Sequence, residues 1–224
     1  MPNSIFVTGG TGYIGSRIIP LLRKRGCEIK ALVRDGSQNK LPSGATGVVG
    51  DALKIDSYTD HVRGADTFVH LIGVPHPSPA KAKQFNEIDL VSIKVAIKAA
   101  RDVGVRHFIY LSVAHPAPVM KEFITVRSAG EQMIRESGIP ATFVRPWYVL
   151  GPGHFWPYAI LPVYWILERL PKTKESAERL GLVTIDQMLS VLVWAVEHPP
   201  NGVQIVDVPR IRELSRILPL NRAK

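Results

Sequence analysis

The chain has a single cysteine, Cys27, so it can form neither an internal disulfide nor a cysteine metal site, and it fits a reducing compartment. Disulfide scaffolds and zinc fingers are excluded. It also lacks a long hydrophobic run. The longest, Phe155 to Leu167, has 13 residues and two prolines, against about 20 for a membrane-spanning helix. No basic stretch followed by an apolar core and a small-residue cleavage site opens the sequence, so a cytoplasmic protein without an export signal is expected. Runs of five or more like charges are missing too. The net charge is +9, but the excess sits at the two ends: residues 1–50 hold seven basic and two acidic side chains, and residues 201–224 hold five and two. Without a finger or a paired aromatic strand motif, this is a solvated basic surface rather than a nucleic-acid footprint, and no nucleic-acid partner is expected.

What is present is ample material for a core. With 224 residues, 46% hydrophobic and 21% charged, the chain suits one large domain or a nucleotide-binding core with a small lobe. From Ser4 to Val7 an apolar run meets a glycine turn. Ile14, Ile18, Leu21 and Leu22 then fall at helical spacing within Tyr13–Lys24, although Pro20 should kink that helix at a cost of about 3 kcal/mol unless packing compensates. Glu28–Val33, Gly47–Val49, Thr67–Leu71, Phe108–Leu111 and Ala141–Val144 read as further strands. Ser57–Val62, Phe85–Arg101 and Glu122–Ser137 read as helices between them. Strands alternating with helices of this length predict an α/β protein with a doubly wound parallel sheet. Beyond Pro146 the pattern loosens into a small C-terminal lobe, with helices over Ile185–Glu197 and Arg210–Leu218 and a strand over Gln204–Val208. The division is 1–146 for the core and 147–224 for the lobe, within one structural domain.

The turn reads Thr8-Gly9-Gly10-Thr11-Gly12-Tyr13-Ile14-Gly15. Glycines where a first strand becomes a first helix permit a tight turn and let backbone amides approach a pyrophosphate at the helix N-terminus. Two frames fit: Gly10, Gly12 and Gly15, or Gly9, Gly12 and Gly15. Either predicts a dinucleotide site.

With Gly50-Asp51, His70-Leu71-Ile72-Gly73, Leu111-Ser112 and Arg145-Pro146 following in order, the sequence resembles the short-chain dehydrogenase/reductase superfamily. The likeness is to its extended or atypical branch of NAD(P)-dependent epimerases and dehydratases. The resemblance implies a Rossmann fold. It also implies a cofactor bound by Gly9, Thr11, Gly12, Tyr13, Ile14, Gly15, Arg34, Asp51, Ala52, Leu71, Ile72, Gly73, Ser112, Arg127, Pro146 and Trp147, with the lobe capping a substrate. Arg34 directly after Val33, with Asp35 displaced by one, favours NADP, while NAD stays possible. Asp51 either contacts adenine or caps the next helix.

One family feature is missing. The superfamily's Tyr-x-x-x-Lys pair moves a proton while hydride passes to or from nicotinamide. Here no tyrosine has a lysine four places on. The family's lysine-to-glutamate spacing matches Arg127 and Glu131, which puts Phe123 where the tyrosine belongs. Two readings stand open. One is an oxidoreductase or epimerase-like enzyme, with Ser112 polarising substrate, Arg127 on the nicotinamide ribose, and Tyr148, His115 or water as the acid. The other binds NADP(H) without turnover, as redox sensors and the accessory subunit of respiratory complex I do. His70 and His115 each read more readily as structural histidines, and Glu131 as a helix-surface or ion-pair residue. Seven of the seventeen aromatics lie in 147–165 (Trp147, Tyr148, Phe155, Trp156, Tyr158, Tyr164, Trp165) and suit an apolar or planar small molecule, a peripheral membrane contact or a satellite core. Arg210, Arg212 and Arg216 opposite Ile211, Leu214 and Leu218 give a short basic amphipathic helix, expected to dock on the core. A monomer or homodimer is expected.

Overall fold

Alternation along the strands decides the layers. In β1 (Ser4–Thr8), Ile5 and Val7 face one way and Phe6 the other, and all three are fully buried, so the strand needs cover on both sides. The same holds for β2 (Glu28–Val33), β4 (Thr67–His70), β5 (His107–Leu111) and β6 (Ala141–Arg145). With β3 (Thr46–Val49) and β9 (Val203–Asp207) they form a seven-stranded sheet in the order β3-β2-β1-β4-β5-β6-β9, every pair parallel. The computed structural model describes residues 4–153 and 174–218. The doubly wound Rossmann sheet expected from the sequence is therefore present, and its order reverses between β1 and β4, where such folds open a ligand crevice at the carboxyl ends of the strands.

On one face, α1 (Gly15–Lys24) packs Ile18, Ile19 and Leu22 against Ile5, Val7 and Ala31. The helix continues through Pro20, because these buried side chains tie the turns on either side of it to the sheet. On the other face lie Phe6, Phe68, Phe108 and Phe143; Phe6 meets Phe68 at a tilt with ring centroids 5.3 Å apart, and Phe68 stacks on Phe108 at 5.0 Å. Short α2 (Thr59–Val62), α4 (Val91–Asp102) and α5 (Lys121–Ser137) cover this face. The single crossover helix expected over Phe85–Arg101 is instead composite. A short α3 (Ala82–Gln84) leads into a π-helical stretch, Phe85–Leu90, and then into α4. Phe85 and Asp89, four residues apart, are both buried, and Asp89 Oδ1 accepts the Val74 amide at 2.9 Å.

Past β6, β7 (Tyr148–Leu150) and β8 (Leu182–Thr184) pair as a separate two-stranded sheet that the sequence reading did not anticipate. Helix α6 (Lys174–Arg179) precedes β8. Helix α7 (Ile185–Glu197) starts at a capping box, Thr184 with Gln187, and buries Met188, Val191 and Leu192 on the α1 side. Strand β9 then joins β6, so the stretch expected as a lobe also supplies part of the main sheet. Helix α8 (Val208–Ile217) docks through buried Val208, Ile211 and Leu214, while Arg212 donates to the Leu182 carbonyl. The run Phe155–Leu167, with Phe155, Trp156, Tyr158, Tyr164 and Trp165, lies outside the described residues. Among the described residues no helix is long and apolar enough to cross a membrane, and no metal-ligating cluster is found.

Candidate functional site

The glycine turn sits at the strand-order switch. Gly9 follows β1 with φ +81°, and a side chain there would bring a Cβ 2.9 Å from the carbonyl carbon of Leu71, the residue that follows β4. Gly15 lies beneath it: a Cβ would strike the Gly9 carbonyl oxygen and come 2.8 Å from Gly10 Cα. Gly12 donates to the Gly9 carbonyl at 3.0 Å, and its own Cβ position meets only that oxygen, at 3.2 Å, with open space beyond. Gly10 faces side chains of Ala31 and Ile19 instead. The frame in which backbone meets backbone is thus Gly9, Gly12 and Gly15. The N-terminus of α1 has no side-chain cap and no acidic residue in its first turn, leaving the positive end of the helix dipole uncompensated. Thr11 is half-buried at the turn's crest, and Ile14 packs on the core. The Tyr13 ring lies under the Arg17 guanidinium (4.2 Å), with its hydroxyl against Gly151.

At the end of β2 the two neighbouring charges divide. Asp35 is turned into its own loop, its Oδ1 accepting the Gly36 amide at 3.0 Å and Gln38 Nε2 at 3.4 Å. The Arg34 side chain is exposed and makes no hydrogen bond or ion pair among the described residues. Asp51 closes a local turn: Oδ1 accepts the Leu53 amide at 3.0 Å, and Lys54 lies 3.8 Å from Oδ2. This is a turn within its own loop and not a cap of the helical turns that follow, whose N-caps Lys54 and Tyr58 carry no side-chain cap bond, and it leaves the carboxylate 46% exposed. Ala52 packs half-buried beside it.

The residues at the other end of the crevice are engaged internally. The Arg127 side chain is 5% exposed. It donates from Nη1 to the Leu111 carbonyl (2.9 Å) and lies 3.6 Å from Asp89 and 5.2 Å from the Phe123 ring centroid. It fills the space above Gly73, where a Cβ would overlap Nη2. Burial raises the Asp89 carboxyl above its ordinary value, against the opposing pull of Arg127 and the Val74 amide. Phe123 packs on Phe85, Val74 and Val126, at 5.0 Å from the Phe85 ring. Ser112 is buried and donates to Glu131 Oε1 at 2.6 Å.

Glu131 is buried, not on the helix surface, and it organises the region. Arg145 donates to both of its oxygens, at 2.8 Å from Nε to Oε1, and Arg135 lies 3.4 Å from Oε2. Burial alone would raise this carboxyl, but His115, Arg145 and Ser112 outweigh it and hold the group at about 2. The sequence signal was available: Val126, Arg127, Gly130, Glu131 and Ile134 are spaced as one inward helix face. His70, fully buried, has Nδ1 2.9 Å from Thr8 Oγ1, and burial with the nearby Arg127 charge lowers it to about 3, so it is a neutral structural histidine. Pro146 accepts the Ala114 amide through its carbonyl, and half-buried Trp147 and Tyr148 stand edge to face at 5.5 Å. Burial raises the Tyr148 phenol.

A Rossmann sheet with a glycine turn at its switch point defines a dinucleotide-binding protein. The family described as NAD(P)H-binding matches residues 9–152, and the chain belongs to it; its structural neighbours include short-chain dehydrogenase/reductase and epimerase proteins. It binds a nicotinamide dinucleotide. Relatives are reductases and epimerases. A ceramide reductase of Caulobacter vibrioides is 25% identical over 214 residues, covering 92% of this chain and 65% of the reductase. The NADH-ubiquinone oxidoreductase 40 kDa subunit of Neurospora crassa is 29% identical over 153 residues, covering 65% of this chain and 40% of the subunit. The chain therefore spans less than two thirds of the length of either relative. The crystal structure of the Bordetella bronchiseptica enzyme WbmH with NAD+ superposes with a TM-score of 0.67 at 21% identity, covering 94% of this chain and 78% of that one.

Proposed function

We propose that this chain is an NADP(H)-dependent oxidoreductase-type protein that lacks the tyrosine–lysine proton relay. The pyrophosphate lies against Gly9, Thr11, Gly12, Tyr13, Ile14 and Gly15. Arg34 takes the adenosine 2′-phosphate, Asp51 and Ala52 border the adenine, and Leu71, Ile72, Gly73, Pro146 and Trp147 line the path to the nicotinamide. The observation that carries the reading is the pairing of a closed turn at Gly9–Gly15 with an exposed Arg34 whose side chain has no hydrogen bond or ion pair among the described residues. A small apolar or planar molecule would enter beside Trp147 and Tyr148.

A second reading, cofactor binding without turnover, is favoured by the inward commitment of the three positions expected to do chemistry. Ser112 donates a hydrogen bond to Glu131, Arg127 faces Asp89 and Leu111, and Phe123 carries no exchangeable proton. The NADH-ubiquinone oxidoreductase 40 kDa subunit among the relatives supports the same view.

Fluorescence titration with NADPH and NADH tests the cofactor. Arg34→Ala is expected to weaken NADPH by roughly 10- to 100-fold, the worth of a charge-assisted phosphate contact, and NADH by less than twofold. Equal weakening of both would remove the assignment of Arg34.

A further inference from the structure

The family resemblance sets Arg127 on the nicotinamide ribose, and the surroundings of that side chain speak against such a grip. Its guanidinium donates from Nη1 to the Leu111 carbonyl at 2.9 Å, lies 3.6 Å from Asp89 Oδ2 through Nη2, and stands over the Tyr110 and Phe123 rings at 5.6 and 5.2 Å. Asp89 is wholly buried and its other oxygen accepts the Val74 amide at 2.9 Å, so it is held in place and cannot follow the guanidinium outward. Turning Arg127 onto a ligand would strand a buried carboxylate without its counter-ion, a strongly destabilising change. Ser112 is tied in the same way, because its hydroxyl is buried and already donates to Glu131 Oε1 at 2.6 Å. The adenosine end of the crevice is arranged the other way. There Gly12 opens onto space at the uncapped start of α1, Arg34 is exposed without a bond among the described residues, and the Asp51 carboxylate is in part exposed.

We propose that this site recognises the 2′-phosphoadenosine diphosphate half of its ligand, and so takes 2′-phosphorylated ADP-ribosyl nucleotides as a class, with or without a nicotinamide and in either redox state. The groups free to meet a ligand's charges lie at the glycine turn and Arg34, and they touch only that half. NADP+ and NADPH differ by one charge, on the nicotinamide ring. A cation without a counter-ion near that ring would separate the two forms, but Arg127 is matched by Asp89, and Arg145 and Arg135 by Glu131. Occupancy then follows the total pool of such nucleotides rather than the ratio of reduced to oxidised cofactor. This inference rests on the assignment of the glycine turn and Arg34 made above.

Calorimetric titration of the full chain with 2′-phospho-ADP-ribose, NADP+ and NADPH tests it. All three are expected to bind one per chain with dissociation constants within about fivefold of one another, and 2′-phospho-ADP-ribose should displace NADPH completely. A charged grip on the nicotinamide ribose would instead favour the dinucleotides by roughly 10- to 100-fold, so the two outcomes are well separated. Arg34→Ala should weaken all three ligands by the same factor. Either dinucleotide binding more than about fivefold tighter than 2′-phospho-ADP-ribose overturns the proposal, and so does a gap of that size between NADP+ and NADPH. Binding of 2′-phospho-ADP-ribose without displacement of NADPH overturns it as well. Each of these results leaves the cofactor assignment standing. Failure of all three ligands to bind removes the assignment beneath it.

Discussion

Gly12→Val is expected to weaken NADPH and NADH together by at least 100-fold while the apo protein unfolds within a few degrees of the wild type. A loss of that size corresponds to about 2.7 kcal/mol. The separation of effects follows from where the missing side chain would go. At Gly12 a Cβ meets only the Gly9 carbonyl oxygen, at 3.2 Å, and then points into open space at the uncapped start of α1. A valine there asks the Gly9 carbonyl to give by a few tenths of an ångström and occupies the room a diphosphate needs. Gly15 behaves differently, because its Cβ would drive into the Gly9 carbonyl and Gly10, so Gly15→Ala damages the helix-to-turn packing itself. Calorimetric titration beside a thermal melt of each variant distinguishes them. A Gly12→Val protein that binds either coenzyme as the wild type does would mean that the turn is not the phosphate site.

The second large effect is on stability. Glu131→Ala is expected to cost about 3–5 kcal/mol, since it leaves Arg145 and the Ser112 hydroxyl without their buried acceptor. The same group gives the fold an acid limit. Glu131 is held at about 2 in the folded protein against 4.5 for the free carboxyl, so between those values the unfolded chain binds the proton and the folded chain does not. Its contribution is whole above pH 4.5 and lost as pH falls toward 2. His70 and His107 act in the same direction from higher pH, because burial lowers them from 6.5 to about 3 and about 4. Asp89, raised by burial, acts oppositely and favours the fold as pH falls. Urea midpoints between pH 7 and pH 3 should therefore decline for the wild type. Glu131→Ala should start lower and decline less steeply below pH 4.5. Parallel curves would show that Glu131 is not the carboxylate responsible.

The parts of this architecture that were legible in the sequence are those fixed by local pattern. Short, nearly continuous apolar runs made β1, β4, β5 and β6 visible, and glycines between a strand and a helix marked the switch point. What escaped the reading depends on contacts far apart in the chain. The π-helical turn at Phe85–Leu90 carries Asp89 to the Val74 amide, a contact that local pattern does not report. The small β7–β8 sheet pairs segments more than thirty residues apart, and periodicity cannot report that. Glu131 looked like a surface residue because carboxylates are rarely buried, yet its helical register with Val126 and Ile134 placed it inward, and Arg145 and Ser112 supply what its burial requires. Likewise, the sequence favoured Arg34 over Asp35 only by their one-residue offset after Val33. Only the loop geometry shows Asp35 engaged with Gly36 and Gln38, with Arg34 left over.

The central claim is that a dinucleotide diphosphate rests on the amides between Gly9 and Gly15, at the seam of β1 and β4. A crystal structure of the protein soaked with NADP+ tests it most directly. The account predicts electron density for the diphosphate over Gly12 at the start of α1, with the adenosine phosphate beside Arg34. Clear density for NADP+ elsewhere on the molecule, with the turn empty, would contradict it.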